Sequence, residues 1–234
     1  MTEFDTVIKG GTLIDGRNFP RRVTDLGISE GKIAKIGRIP ASEGRNVIDA
    51  SGLTVAPGVI DTHTHYDAQL FWDPYLTLSG WHGVTSVIIG NCGFGFAPCA
   101  ANSVDQDRLM LSLTRNEAIP FDAMKKGMSW DWVSFPDFLD FMDRIPKGVN
   151  VISYVPLSPI YSYVMGWDEA KKRRPTEAEL KEMLRLVHEG MDAGGCGWSA
   201  QVLGEDSLQR DYDGTPMITD LMTEEELLAF AQVL

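Results

Sequence analysis

The residues with the clearest chemical potential are His63, His65 and Cys92. The two histidines stand two apart at the end of the apolar run Gly58-Val59-Ile60-Asp61-Thr62-His63. If that run is a strand, its period of two puts both imidazoles on one face. Neutral imidazoles converging from a rigid strand make half of a metal site, suited to zinc and several other divalent ions. Cys92 ends the next apolar run, in Ile88-Ile89-Gly90-Asn91-Cys92-Gly93. A thiolate is a strong zinc ligand, and coordination keeps it ionised at neutral pH. The plainer readings are a solvated His-x-His pair in a loop and a buried cysteine acting as a small hydrophobe. The shared context, a strand end in both cases, argues for the metal reading. The glycines around Cys92 suggest a phosphate loop, but neither Gly-x-Gly-x-x-Gly nor Gly-Lys-Ser/Thr is present, which rules out a nucleotide site.

Parallel α/β folds build their sites where strands end at their C-terminal edge. The spacing predicts such strands over residues 58–63, 85–90 and 150–155, with a weaker one over 196–200. Near-continuous apolar strands of this kind imply a sheet buried on both faces. Helices should intervene. Thr176 and Glu179 form a capping box ahead of Leu180, Met183, Leu184, Val187 and Met191, until Gly194-Gly195 stops the helix. Ser134 opens another helix with Phe135, Phe138, Leu139 and Met142, and Thr223 with Glu226 opens a third whose apolar face is Leu227, Leu228, Ala231 and Leu234. Alternating strands and helices mean βα units around a parallel sheet, either open and doubly wound or closed as a barrel. Ahead of these, residues 1–56 read as short strands with turn punctuation, including a Glu30-Gly31 hairpin whose second strand should have one solvated face. The expected division is a β module over 1–56 and four βα units over 57–234.

Composition narrows the function. The 234 residues are 44% hydrophobic and 23% charged, as in a globular domain able to bury a core. With 33 acidic against 21 basic residues the net charge is −12, which repels phosphate backbones and anionic membranes, so neither nucleic acid nor membrane is expected as a partner. No apolar run reaches the roughly 18–20 residues of a membrane helix, and the N-terminus lacks a leader pattern, so a cytoplasmic location is expected. Three cysteines are too few and odd in number for a disulfide framework. Of the remaining histidines, His82 precedes a strand and His188 sits on the Thr176 helix. Both read as structural or solvated, and Cys99 and Cys196 read as packing residues.

A family resemblance covers most of the chain. Gly58-Val59-Ile60-Asp61-Thr62-His63-Thr64-His65-Tyr66-Asp67 resembles the amidohydrolase superfamily, and the segment from His82 through Gly90-Asn91-Cys92-Gly93 to Cys99 resembles its N-acyl-D-amino-acid deacylase (D-aminoacylase) branch. So do Glu117-Ala118-Ile119-Pro120, Trp130-Asp131-Trp132, Ser134-Phe135-Pro136 and the segment 174–200. The resemblance implies a (β/α)8 TIM-like barrel, of which the first half is present, with the N-terminal module forming half of a composite β-sandwich. It implies zinc, with Cys92 in the place of a carboxylated lysine at a tight site and His63 and His65 at a second, weaker position. It implies further histidines from later strands and a general-base aspartate beyond Leu234, none of them matched in these residues.

The activity expected from this resemblance is zinc-dependent hydrolysis of linear, non-peptide amide bonds in a small molecule. Two segments depart from the family pattern, Val155-Pro156-Leu157-Ser158 and Ser199-Ala200-Gln201-Val202. They open the alternative of a cyclic or bulkier amide. A further alternative is a non-catalytic half-barrel subunit whose other half comes from the rest of the chain or a second polypeptide. On the size of a complete barrel, the 234 residues are expected to be part of a chain roughly twice as long, and alone to be inactive and poorly soluble.

Overall fold

In the computed structural model, which describes residues 2–234, the chain divides into two compact units, Met1–Gly58 and Val59–Leu234. The first holds β1 (Phe4–Leu13), β2 (Arg22–Ser29), β3 (Lys32–Gly37), β4 (Gly44–Asp49) and β5 (Thr54–Val55). Their order is β3-β2-β1-β4, with β5 also on β1; β1 is antiparallel to β2 and parallel to β4 and β5. The β2–β3 hairpin turns at Glu30 and Gly31, both left-handed (φ 52° and 72°), the twist-matching two-residue turn. The one-sided pattern expected for β3 is not found: Lys32 to Ile36 are all exposed, Ile33 at 61%. The strand lies at the sheet edge, and the small buried cluster of Phe4, Val7 and Ile39 involves β1 and the segment after β3 instead. A polar node supports that cluster. Asp25 accepts from Lys9 Nζ (2.6 Å), Gly10 N (2.8 Å) and Ile39 N (3.0 Å).

The second unit runs β6 (Val59–Asp61), α1 (Thr77–Trp81), β7 (Val84–Ile89), α2 (Ser103–Asn116), α3 (Phe121–Gly127), α4 (Phe135–Arg144), β8 (Asn150–Ser153), β9 (Val155–Pro156), α5 (Leu157–Met165), α6 (Trp167–Ala170), α7 (Glu177–Asp192), β10 (Trp198–Ser199) and α8 (Glu224–Ala231). β6, β7 and β8 pair in parallel and in sequence order, and β9 pairs in parallel with β10. Cys196 N donates to Ser153 O (3.0 Å) and Val155 N to Gly197 O (2.8 Å), carrying the ladder from β8 through β9 towards β10. The expected parallel α/β order is therefore present.

Three expectations are corrected. The first strand stops at Asp61 rather than at His63, because Asp61 Oδ1 takes the His63 N–H (3.2 Å) that a ladder bond would need. The sheet is covered on one face: Val87 and Ile89 are buried under the helices, whereas Ile60 and Ile152 remain 59% and 37% exposed. α8 turns Phe230 and Glu226 inward and leaves Leu228 and Leu234 exposed. Trp198 Nε1 donates to Phe230 O (2.9 Å) and Tyr161 Oη to Glu226 Oε1 (3.3 Å), which fixes that rotation.

The helix starts match their sequence signals. Ser134, Thr176 and Thr223 each cap a helix in a reciprocal box, with Asp137, Glu179 and Glu226 as the returning carboxylates. Under the loop that carries the cysteine, Trp132 stacks on Phe71 (5.3 Å between centroids) and packs edge-on against Phe138, while its Nε1 donates to Phe96 O (2.8 Å). No helix among the described residues is long and apolar enough to cross a membrane.

Candidate metal centre

Two loops at the ends of neighbouring parallel strands are stitched together by backbone-directed polar groups. Thr64 donates to Ile88 O through both N (3.2 Å) and Oγ1 (2.8 Å), and Asn91 Nδ2 bridges Thr64 O (3.1 Å) and Ile88 O (2.9 Å). Asp67 Oδ1 accepts from Gly90 N (2.8 Å). The turn itself needs left-handed backbone at Gly90 (φ 76°), Cys92 (φ 57°) and Gly93 (φ 79°). At Gly90 a side chain is impossible, since a Cβ would lie 2.6 Å from Tyr154 O. At Cys92 the same backbone region costs a non-glycine residue about 1–3 kcal/mol, a strain found where surroundings over-determine a functional position. Those surroundings are visible: Gln201 N donates to Cys92 O (3.0 Å), Gly93 N to Ser199 Oγ (3.0 Å), and Ser199 Oγ to Gly90 O.

The result brings all three sequence candidates together. One ligand atom each from His63, His65 and Cys92 lies within 4.8 Å of the others. Cys92 Sγ is 3.3 Å from His63 Nε2, and the two imidazole centroids are 5.4 Å apart at 62°. His65 also meets Phe94 edge-on (5.7 Å). Its Nδ1 is buried and has no hydrogen-bond partner among the described residues. The histidines line a pocket of about 470 Å³ with Asp61, Tyr66, Trp72 and Glu117.

Electrostatics fit a cation. Burial, reinforced by the charge of His63, pulls His65 down to about 4, so its ring is neutral and able to ligate at physiological pH. Burial pushes the Cys92 thiol up, and the carboxylates of Glu117 and Asp67 add to the effect; a bound divalent ion reverses this, since a coordinating thiol is deprotonated outright. Burial raises Asp67 to about 7 despite its bond from Gly90, and its Oδ2 has no partner among the described residues. Burial also raises Glu117, partly offset by His63. Two nitrogens and one sulfur, preplaced at this spacing with an orphaned buried ring nitrogen, suit Zn²⁺.

The other candidates lie apart. His82 is exposed and bonds Leu78 O through Nδ1 (2.8 Å), and His188 is exposed on α7. Cys99 is buried, as a packing residue should be, but Cys196 is exposed, contrary to its expected packing role. Sequence reasoning missed Glu117, whose Oε2 is 3.5 Å from His65 Nε2, and the bracing role of Asp67. No local pattern marks Glu117, since only the path of α2 carries it to His65.

Residues 46–232 match the amidohydrolase family. The chain belongs to that family. Among amidohydrolase relatives, N-acyl-D-glutamate deacylase of Alcaligenes xylosoxydans xylosoxydans is 46% identical over 215 residues, covering 91% of this chain and 41% of that protein. D-aminoacylase of the same organism is 37% identical over 196 residues, covering 84% and 37%. A solved structure of N-acyl-D-glutamate deacylase from Bordetella bronchiseptica, complexed with zinc and a phosphonate mimic of the tetrahedral intermediate, superposes with a TM-score of 0.75 at 27% identity; it covers 99% of this chain and 43% of that one. The family resemblance read from the sequence is thus borne out, and the chain spans about two fifths of the length of these relatives.

Proposed function

We propose that this amidohydrolase chain holds Zn²⁺ through His63, His65 and Cys92 and serves the hydrolysis of a linear amide, the removal of an acyl group from the nitrogen of a D-amino acid. The observation that carries the reading is the convergence of two imidazoles and a thiol within 4.8 Å at the ends of adjacent parallel strands. When bound, zinc supplies Lewis-acid polarisation of the amide carbonyl and lets water ionise near neutral pH. The chain's own contribution is placement. Thr64, Asn91 and Asp67 lock the histidine loop to the cysteine turn, so the donors need no reorganisation when substrate arrives. Tyr66 and Trp72 give the pocket an aromatic wall for the substrate's apolar portion.

The names of the relatives support an N-acyl-D-amino acid and favour a linear amide over the ring amide suggested by the altered strand ends. On the same reading, β6, β7, β8 with β9, and β10 are the first four strands of a (β/α)8 barrel over residues 57–234. Residues 1–56 belong to a composite β-sandwich. Parallel pairing in sequence order and the likeness to the zinc-complexed deacylase support this.

The test is a substrate panel for the zinc-loaded protein expressed from its complete reading frame: N-acyl-D-glutamate, N-acyl-D-aspartate, neutral N-acyl-D-amino acids, their L forms and ring amides. D-selective deacylation is expected, with both zinc content and turnover lost in Cys92→Ala. Undiminished zinc and turnover in that variant, or preference for ring amides, would contradict the proposal.

A further inference from the structure

We infer that Ser199 is a positioning residue for the Cys92 thiolate: its hydroxyl is a clasp from β10 that holds the turn after β7 in the shape that aims the sulfur at the histidines. The inference rests on the metal reading above and extends it from the donors to what places one of them. Ser199 Oγ accepts from Gly93 N (3.0 Å) and donates to Gly90 O. The hydroxyl's single proton is thereby engaged on the carbonyl two residues before Cys92, and a lone pair on the amide one residue after it. The serine lies more than a hundred residues along the chain from both, a separation of 106 and 109. With the turn so held, Cys92 Sγ stands 3.3 Å from His63 Nε2.

The turn needs such a clasp. Cys92 is left-handed (φ 57°, ψ 15°), a conformation that tight turns ordinarily give to glycine or asparagine and that disfavours any other L residue. The side chain leaves from Cα, so relaxation of this backbone re-aims the Cβ–Sγ bond. A shared cation tolerates little of that, since its donors must be held to within about 0.5 Å. Left-handed glycines stand at Gly90 and Gly93 (φ 76° and 79°), and glycine is the residue least able to hold a shape by itself. Rigidity therefore has to come from outside the turn. Asp67 and Asn91 fix its first half and Gln201 N holds Cys92 O (3.0 Å), but among the described residues Ser199 is the side chain that bonds the backbone on both sides of the cysteine.

The clasp is itself anchored. Ser199 ends β10, where it lies opposite Pro156 of β9, and Trp198 before it donates to the carbonyl of buried Phe230 (2.9 Å). Gln201 after it donates to both oxygens of buried Asp220 (3.2 and 3.0 Å), which also takes the Leu203 N–H (2.8 Å). Ser199 is thus gripped on either side and cannot follow the turn if the turn relaxes. Linkage adds a reciprocal consequence. A clasp that favours the metal-binding shape of Cys92 is tightened in turn when the metal binds.

The protein expressed from its complete reading frame is titrated with Co²⁺ under anaerobic conditions. The thiolate-to-cobalt charge-transfer absorption, the dissociation constant and hydrogen exchange at the Gly93 amide are followed. The wild type should show the absorption, and its Gly93 amide should exchange more slowly with Co²⁺ than without. Ser199→Ala removes both bonds and should bind Co²⁺ about ten- to a hundredfold more weakly, with a weaker and shifted absorption. Ser199→Thr keeps the hydroxyl and should restore affinity and spectrum towards the wild type. Wild-type affinity and absorption in Ser199→Ala would overturn the inference and leave the three-residue site standing; a lower metal-free melting temperature beside them would make Ser199 structural. Ser199→Thr no better than Ser199→Ala would overturn it equally. Should Ser199→Ala fail to fold, exchange in the wild type decides, and protection at Gly93 unchanged by Co²⁺ would overturn the inference. No absorption in the wild type would overturn the metal reading itself, and the inference with it; Cys92→Ser, expected to lose the absorption, identifies the sulfur ligand.

Discussion

In the unit spanning residues 1–58 the buried apolar cluster is small, Phe4, Val7 and Ile39, and Ile33, Val23 and Ile48 stand exposed on the sheet. From Val59 onward a continuous core joins the strands to the helices, with Phe94, Phe96, Met110, Leu157 and Ile160 almost wholly enclosed. The first unit is organised by a charged node, Asp25 with Lys9, Gly10 and Ile39. The second is organised by apolar packing, and the cluster of His63, His65 and Cys92 sits on it. The difference shows what a site of this kind requires. Donors must be held to within a fraction of an ångström, and close-packed side chains supply that rigidity directly beneath the Cys92 turn.

The two units can be followed separately, since all six tryptophans lie at or beyond Trp72. Trp132→Ala should have the largest effect. It deletes a 4% exposed side chain at the centre of the aromatic cluster and the bond to Phe96 O, and should cost about 3–5 kcal/mol in urea unfolding followed by tryptophan fluorescence. A loss under about 1 kcal/mol, in the range of an ordinary surface change, would break the contrast between the units.

Asp25→Ala should have a smaller effect, confined to the first unit. It leaves the Gly10 and Ile39 amides and the Lys9 ammonium without their acceptor, and should cost about 2–3 kcal/mol, read as faster hydrogen exchange at Gly10 and Ile39. The bond from Lys9, aided by the two amides, holds the Asp25 carboxyl at about 2 against an ordinary 3.8. A depressed acid stabilises the fold above its unfolded value, and that contribution is lost as pH falls through about 2. Protection at these amides should therefore decline below about pH 3.8 in the wild type and stay flat in the variant. Identical profiles would remove the charged node from the account of this unit.

How much of this was legible in the sequence follows from how local each feature is. His63 and His65 are readable because they follow one apolar run and Cys92 because it follows the next, and three helix starts are readable because a capping box is a four-residue signal. Glu117 was not readable as part of the site, since only the path of α2 carries it to His65. Asp67 looked like an ordinary polar residue after a strand, and its role depends on the Gly90 N–H presented by the neighbouring one. Of the face that leucine spacing predicts for α8, Leu227 packs on the core while Leu228, Ala231 and Leu234 are exposed. The true orientation is fixed by Trp198 and Tyr161, which reach it from other elements. The left-handed backbone of Cys92 has no pattern signature, being imposed by the strand ends that grip the turn on both sides.

The central claim is that a thiolate and imidazoles from two adjacent strand ends share one cation. X-ray absorption at the zinc edge of the zinc-loaded chain tests it most directly. The expected spectrum contains one sulfur at about 2.3 Å together with nitrogen or oxygen neighbours, imidazole among them, at about 2.0–2.2 Å, with the sulfur contribution absent in Cys92→Ser. A first shell of nitrogen and oxygen alone in the wild type would contradict it.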